Sequence, residues 1–116
     1  MMNAWEDLHC ATLELVRSTP IKQRLVCAYR RHLMRLPVER LPADARELFA
    51  QVTAMLQGVQ PLRGEDTVSA SVRKLSNQEA DDCAALIVEI FGIVSRALQG
   101  SQSSLNSMVS QRVVSS

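Results

Sequence analysis

Aromatic side chains are nearly absent from this 116-residue chain, which has only Trp5, Tyr29, Phe49 and Phe91. Too few are interleaved with basic residues to form a stacking platform for nucleic acid. Charge of one sign is also in short supply. Thirteen Lys and Arg face twelve Asp and Glu, a formal net of +1, and so small a global field does not by itself recruit a polyanion or an anionic membrane. Cysteine is scarce as well. Cys10, Cys27 and Cys83 are odd in number and form no CxxC pair, and the opening MMNAWEDL lacks the basic and apolar regions of a secretory leader, so a reduced, cytoplasmic protein is expected.

Metal ligands fail on spacing. His9, Cys10, Cys27, His32 and Cys83 give no HxxxH or HExxH, and the adjacent His9 and Cys10 point about 100° apart on a helix. Neither a metal nor a cofactor is expected. Long hydrophobic runs are missing too. The longest nearly apolar stretch, Ala84 to Val94, has eleven residues and includes Glu89, against the roughly 20 that a bilayer core requires. No membrane partner is expected from it.

What the chain does have is helical patterning. Its length suits one domain, and 47% hydrophobic with 22% charged residues is the composition of a globular protein. The organising stretch is Ser76 to Gly100. Ser76 and Glu79 form a capping box, carboxylates at Glu79, Asp81 and Asp82 suit the positive end of the helix, and Gly100 is placed for a left-handed cap. Ala80, Cys83, Ala84, Ile87, Ile90, Phe91, Val94 and Leu98 follow one helical stripe. Leu86, Val88 and Ile93 add apolar area beyond it, so this helix is expected to be covered all round, and these three residues are the candidate homodimer interface.

Four further segments are read in order. Asn3 to Ser18 is a helix capped by Asn3, with Trp5, Leu8, Thr12, Leu15 and Val16 on its buried side. Ser18-Thr19-Pro20 supplies a hydroxyl cap for a second helix to about Leu36, whose apolar arc is Ile21, Leu25, Ala28, Tyr29, His32, Leu33 and Leu36. Pro37 and Pro42 bracket a connector from which Val38 and Leu41 can reach the core. Ala43 to Gln57 is a third helix, ended by Gly58, with Leu48, Phe49, Val52, Met55 and Leu56 as its stripe. Residues 59–65 form a loop. Asp66 to Leu75 fits either a strand or a short helix, and the helix is favoured because no other segment offers a strand to pair with. The expected fold is all-α, a four- to five-helix bundle over residues 1–100. The tail, 101–116, holds seven serines and reads as flexible, or else as a docking segment using Leu105, Met108, Val109 and Val113.

No motif commits the chain to a reaction or a named partner. The most suggestive feature is local. Between Arg17 and Arg40 seven cations meet the single acid Glu39, a net of +6, and Arg24, Arg31 and Arg35, with Arg30 beside them, form a ridge on the second helix. Such a ridge contacts an acidic protein surface or phosphates, or is a solvated face answered by Glu6, Asp7, Asp81 or Asp82. Arg73 and Lys74 precede the last helix, where an anion can bind, but three nearby carboxylates oppose it.

Three functional readings follow. The first is a small, bacterial-type, non-enzymatic interaction or regulatory module that binds a partner protein through the ridge and an apolar helix surface. The second is a nucleic-acid-associated protein using the same Arg residues. The third is an enzyme built on Glu89 and His32, which requires one polar pocket containing both; no catalytic residue is assigned.

Overall fold

The structure, a computed structural model, describes residues 3–110, and the side chains of 3–100. It is all-α, with five α-helices and no strand among the described residues. Asn3 opens the first of them by accepting the Glu6 amide at 2.9 Å. Helix α1 then runs from Ala4 to Leu15, three residues short of the expected end. Its inward residues Leu8, Ala11 and Leu15 are buried. Val16, expected on the same side, is 73% exposed, because the helix has already ended and its Cβ no longer follows the stripe.

Helix α2 spans Ile21–Ala28 and passes without a break into a π turn, Tyr29–Leu33. No hydroxyl caps it. Pro20 itself is the N-cap residue, and neither Ser18 nor Thr19 makes the expected bond. In the π turn Met34 N–H reaches the Tyr29 carbonyl at 2.9 Å, five residues back, which widens the turn and rotates everything after it relative to a regular helix. Leu25, Ala28, Tyr29, Leu33 and Leu36 are nevertheless buried. A 3₁₀ turn, Val38–Arg40, fills the connector, and Leu41 is buried beyond it as expected.

Helix α3 covers Ala43–Gln57, the expected bounds, and buries Ala45, Phe49, Val52 and Leu56. Gly58 ends it in right-handed geometry. A Cβ there would come within 2.5 Å of the Ala54 carbonyl oxygen, so close approach accounts for this glycine. In the following loop Gly64 has φ +83° and occupies the position of a Leu62–Glu65 turn that demands it.

Helix α4, Thr67–Lys74, resolves the ambiguous segment as a helix, capped by Asp66, which accepts the Ser69 amide at 2.7 Å. Its buried Ser71 hydroxyl accepts the Val59 amide at 3.1 Å and so ties down the preceding loop. Helix α5, Asn77–Ser110, starts at the expected capping box: Ser76 N–H donates to Glu79 Oε1 at 2.8 Å and Glu79 N–H to Ser76 Oγ at 3.0 Å. Gly100 does not stop it. The helix continues ten residues further, since no proline follows Gly100 to break it. The tail side chains, Leu105, Met108, Val109 and Val113 included, lie outside the described residues, so the docking-segment reading is not addressed.

The core is arranged around α5. Ala80, Cys83, Ile87, Ile90 and Val94 are buried, alternating three and four residues apart as in a knobs-into-holes seam. They pack against α1, α2 and α3, while α4 covers α2 and α3. Burial pushes the Cys83 thiol up to about 12, leaving it a small apolar filler. Cys10 and Cys27 are half-buried rather than buried, and all three are free thiols. Trp5 and His9 stack at 5.0 Å and both meet Phe91, with Trp5 Nε1–H donating to Ser95 Oγ at 2.8 Å. Leu98 follows the stripe but is 51% exposed, because it projects beyond the helices that cover its neighbours.

Candidate functional site

Where helix two widens into the π turn, its basic residues meet the flank of α1, and a cavity of about 470 Å³ lies between them. Asp7, Arg30, Arg31, His32, Met34 and Arg35 line it. Behind its wall sits Glu14, a carboxylate with only 7% of its side chain exposed. Arg17 reaches Glu14 at 2.9 Å, Arg31 at 3.2 Å and His32 Nε2 at 3.3 Å. Burial alone would raise the Glu14 carboxyl. The His32 hydrogen bond, the Arg17 charge and the Arg31 contact outweigh it and hold the group below its ordinary value. Asp7 goes the other way, raised by burial, which His32 only partly offsets.

The ridge expected from Arg24, Arg31, Arg35 and Arg30 is therefore not a uniform surface. Arg24 turns towards α1 and donates from Nη1 to the Leu15 carbonyl at 2.7 Å, satisfying one of the acceptors a helix leaves unpaired at its C-terminus; its buried Nε has no partner. Arg30 pairs with the α4 cap Asp66 and donates to Ser69 Oγ at 2.9 Å. Hydrogen bonds from the Ser69 amide and hydroxyl, helped by Arg30, lower the Asp66 carboxyl. Arg31 is partly committed to Glu14. Among the described residues Arg35 alone of the four has neither an ion pair nor a role as a cap. Among the described residues the acids paired with these arginines are Glu14 and Asp66; of the expected Glu6, Asp7, Asp81 and Asp82, Asp7 lines the cleft beside them without an ion pair.

Glu14 is the residue that sequence reasoning missed. Its signal was present: Asp7 and Glu14 are seven apart on α1, hence on one flank, and a basic helix follows directly. The opposing signal, the apolar context of LELV, drew attention to its neighbours.

The other candidates separate. Glu89 is exposed on α5 and does not line the cavity that His32 lines, so among the described residues that cavity does not bring the two together as an enzyme built on both requires. Arg73 is bound to Glu65 at 3.0 Å instead of facing an anion at the start of α5. No group of three His, Cys, Asp or Glu close enough to hold a metal ion occurs among the described residues. Of the expected dimer residues, Leu86 and Ile93 are half-buried against the core, whereas Val88 is 46% exposed and lies about 200° round the helix from Leu86. Leu86 and Ile93, seven apart, share a face, and Val88 stands away from it. Within residues 77–100 an 18-residue window has a mean hydropathy of 1.5, long and apolar enough by length and composition to cross a membrane, as a core helix also can be, a property the eleven-residue run did not reveal.

Comparison with protein-family models, with curated proteins and with solved structures gives no match.

Proposed function

We propose that this chain is a small non-enzymatic interaction or regulatory module of the cytoplasm, which binds a partner protein through the basic face at the π turn. One observation carries the reading. Arg35, which has no ion pair among the described residues, offers its guanidinium in a cleft whose apolar wall, Met34, is 49% exposed. A cation beside accessible apolar surface suits a protein partner, where a desolvated Arg commonly anchors the contact. A phosphate backbone is served instead by several free cations in a row, and here Asp66 and Glu14 already engage Arg30 and Arg31.

The test is affinity capture with identification of the captured protein, repeated with the purified pair. Arg35→Glu is expected to weaken the complex by about two orders of magnitude, the range of an anchoring residue. Unchanged affinity would remove the reading, and so would steeply salt-dependent binding to mixed-sequence duplex DNA in place of a protein. Self-association through α5 is a secondary proposal, supported by the exposed Val88 and Leu98. A dimer mass in light scattering that reverts to monomer in Val88→Asp would bear it out, and a monomer at micromolar concentration would end it.

A further inference from the structure

The cleft between α1 and the π turn contains more donor capacity than the fold uses. Arg31 commits Nη1 to Glu14, which leaves the rest of its fork uncommitted, and Arg35 has no ion-pair partner among the described residues. Both line a cavity with room for several atoms of a visiting chain. A planar guanidinium matches a carboxylate in bidentate geometry. The acids around the cleft limit what can enter. Asp7 lines it and Glu14 backs it, so any anion is repelled, a doubly charged phosphate about twice as strongly as a single carboxylate, whose one charge Arg35 matches. The remaining wall is made by Arg30, already paired with Asp66, by His32, which is bound to Glu14, and by Met34, which is apolar and accessible.

We propose that this cleft seats one carboxylate side chain of an acidic, partly apolar partner segment, gripped by Arg35 with support from Arg31, while an adjoining apolar side chain of that segment rests on Met34. The proposal deepens the interaction reading and rests on it. It makes Arg35 the residue that sets specificity for an acid beside an apolar group.

The experiment uses the full chain labelled with nitrogen-15 and follows the arginine Nε–H resonances during titration with a capped tetrapeptide of glutamate and leucine, and separately with inorganic phosphate. The peptide is expected to shift Arg35 saturably, and the exposed loop residue Arg63 little. Arg35→Gln should weaken the peptide by about tenfold, the effect of losing one charge-assisted bidentate contact, and Arg63→Gln should leave it unchanged. Equal shifts at Arg35 and Arg63, an Arg35→Gln protein that binds as well as wild type, or tighter binding of phosphate than of peptide would each overturn the proposal. Its failure is separable from that of the broader function. If Arg35 takes the peptide but Arg35→Glu still captures the partner, the seat stands and the interaction reading falls. If capture is lost while the peptide leaves Arg35 unmoved, the interaction stands and the seat falls.

Discussion

Glu14 shows how a single buried charge ties the candidate site to stability. Two arginines and His32 converge on it, so its removal leaves Arg31 and His32 without their anchor. Glu14→Gln is expected to destabilise the protein at neutral pH by about 1–3 kcal/mol, the range for loss of a hydrogen-bonded charge with exposed partners, measured by urea unfolding. The pH dependence has a defined sign. Because the folded-state carboxyl lies below its ordinary value of 4.5, the folded protein binds fewer protons at Glu14 than the unfolded chain does. Its contribution is complete above that value and is lost as pH falls through the lower folded value. Asp7, raised above 3.8, contributes a slope of the opposite sign near its own titration, so Glu14→Gln should flatten the loss of stability in acid. An undiminished acid slope in the variant would contradict this role. At this scale the sequence was least legible: a charged residue between two leucines reads as solvent-facing until the opposing helix is known.

At the level of elements, the Asn3 cap, the Ser76–Glu79 box and the stop at Gly58 were readable because their chemistry is local, whereas the hydroxyl cap expected from Ser18 and Thr19 and the stop expected at Gly100 do not form. The Asn3 cap and the Ser76–Glu79 box form as their spacing dictates. Ser76→Ala is expected to lower stability by about 1 kcal/mol, the usual value of such a cap, with thermal unfolding as the readout and an unchanged midpoint as the contrary result. Residues 66–75 were recoverable for a different reason, since a lone strand has nowhere to place its backbone bonds. The π turn was not recoverable. Within it Tyr29 and Leu33 are buried and His32 reaches Glu14, contacts between elements that no short-range pattern encodes. A regular helix would have aligned Arg24, Arg31 and Arg35. The observed helix gives Arg24 to the end of α1 and leaves Arg31 and Arg35 to the cleft.

Across the whole molecule, α5 provides the common surface on which α1, α2 and α3 assemble, and its buried stripe was legible from periodicity alone. The exposed apolar residues were not, because exposure depends on where neighbouring helices end: Leu98 outlasts its cover, and Leu86 and Ile93 are half covered. One stripe of α5 holds the bundle while much of its remaining surface is uncovered, against the expectation of cover all round, and the π-turn cleft is the surface proposed for the partner because it sets Arg35 beside the exposed Met34. The most direct measurement of that claim is photo-crosslinking in cells, with a photoreactive amino acid in place of Met34 and, separately, of the exposed Glu47 on α3. A reproducible adduct to one protein from position 34, absent from position 47 and abolished by Arg35→Glu, is the expected result. No adduct from position 34, or the same adducts from both positions, would contradict the assignment of this cleft as the binding face.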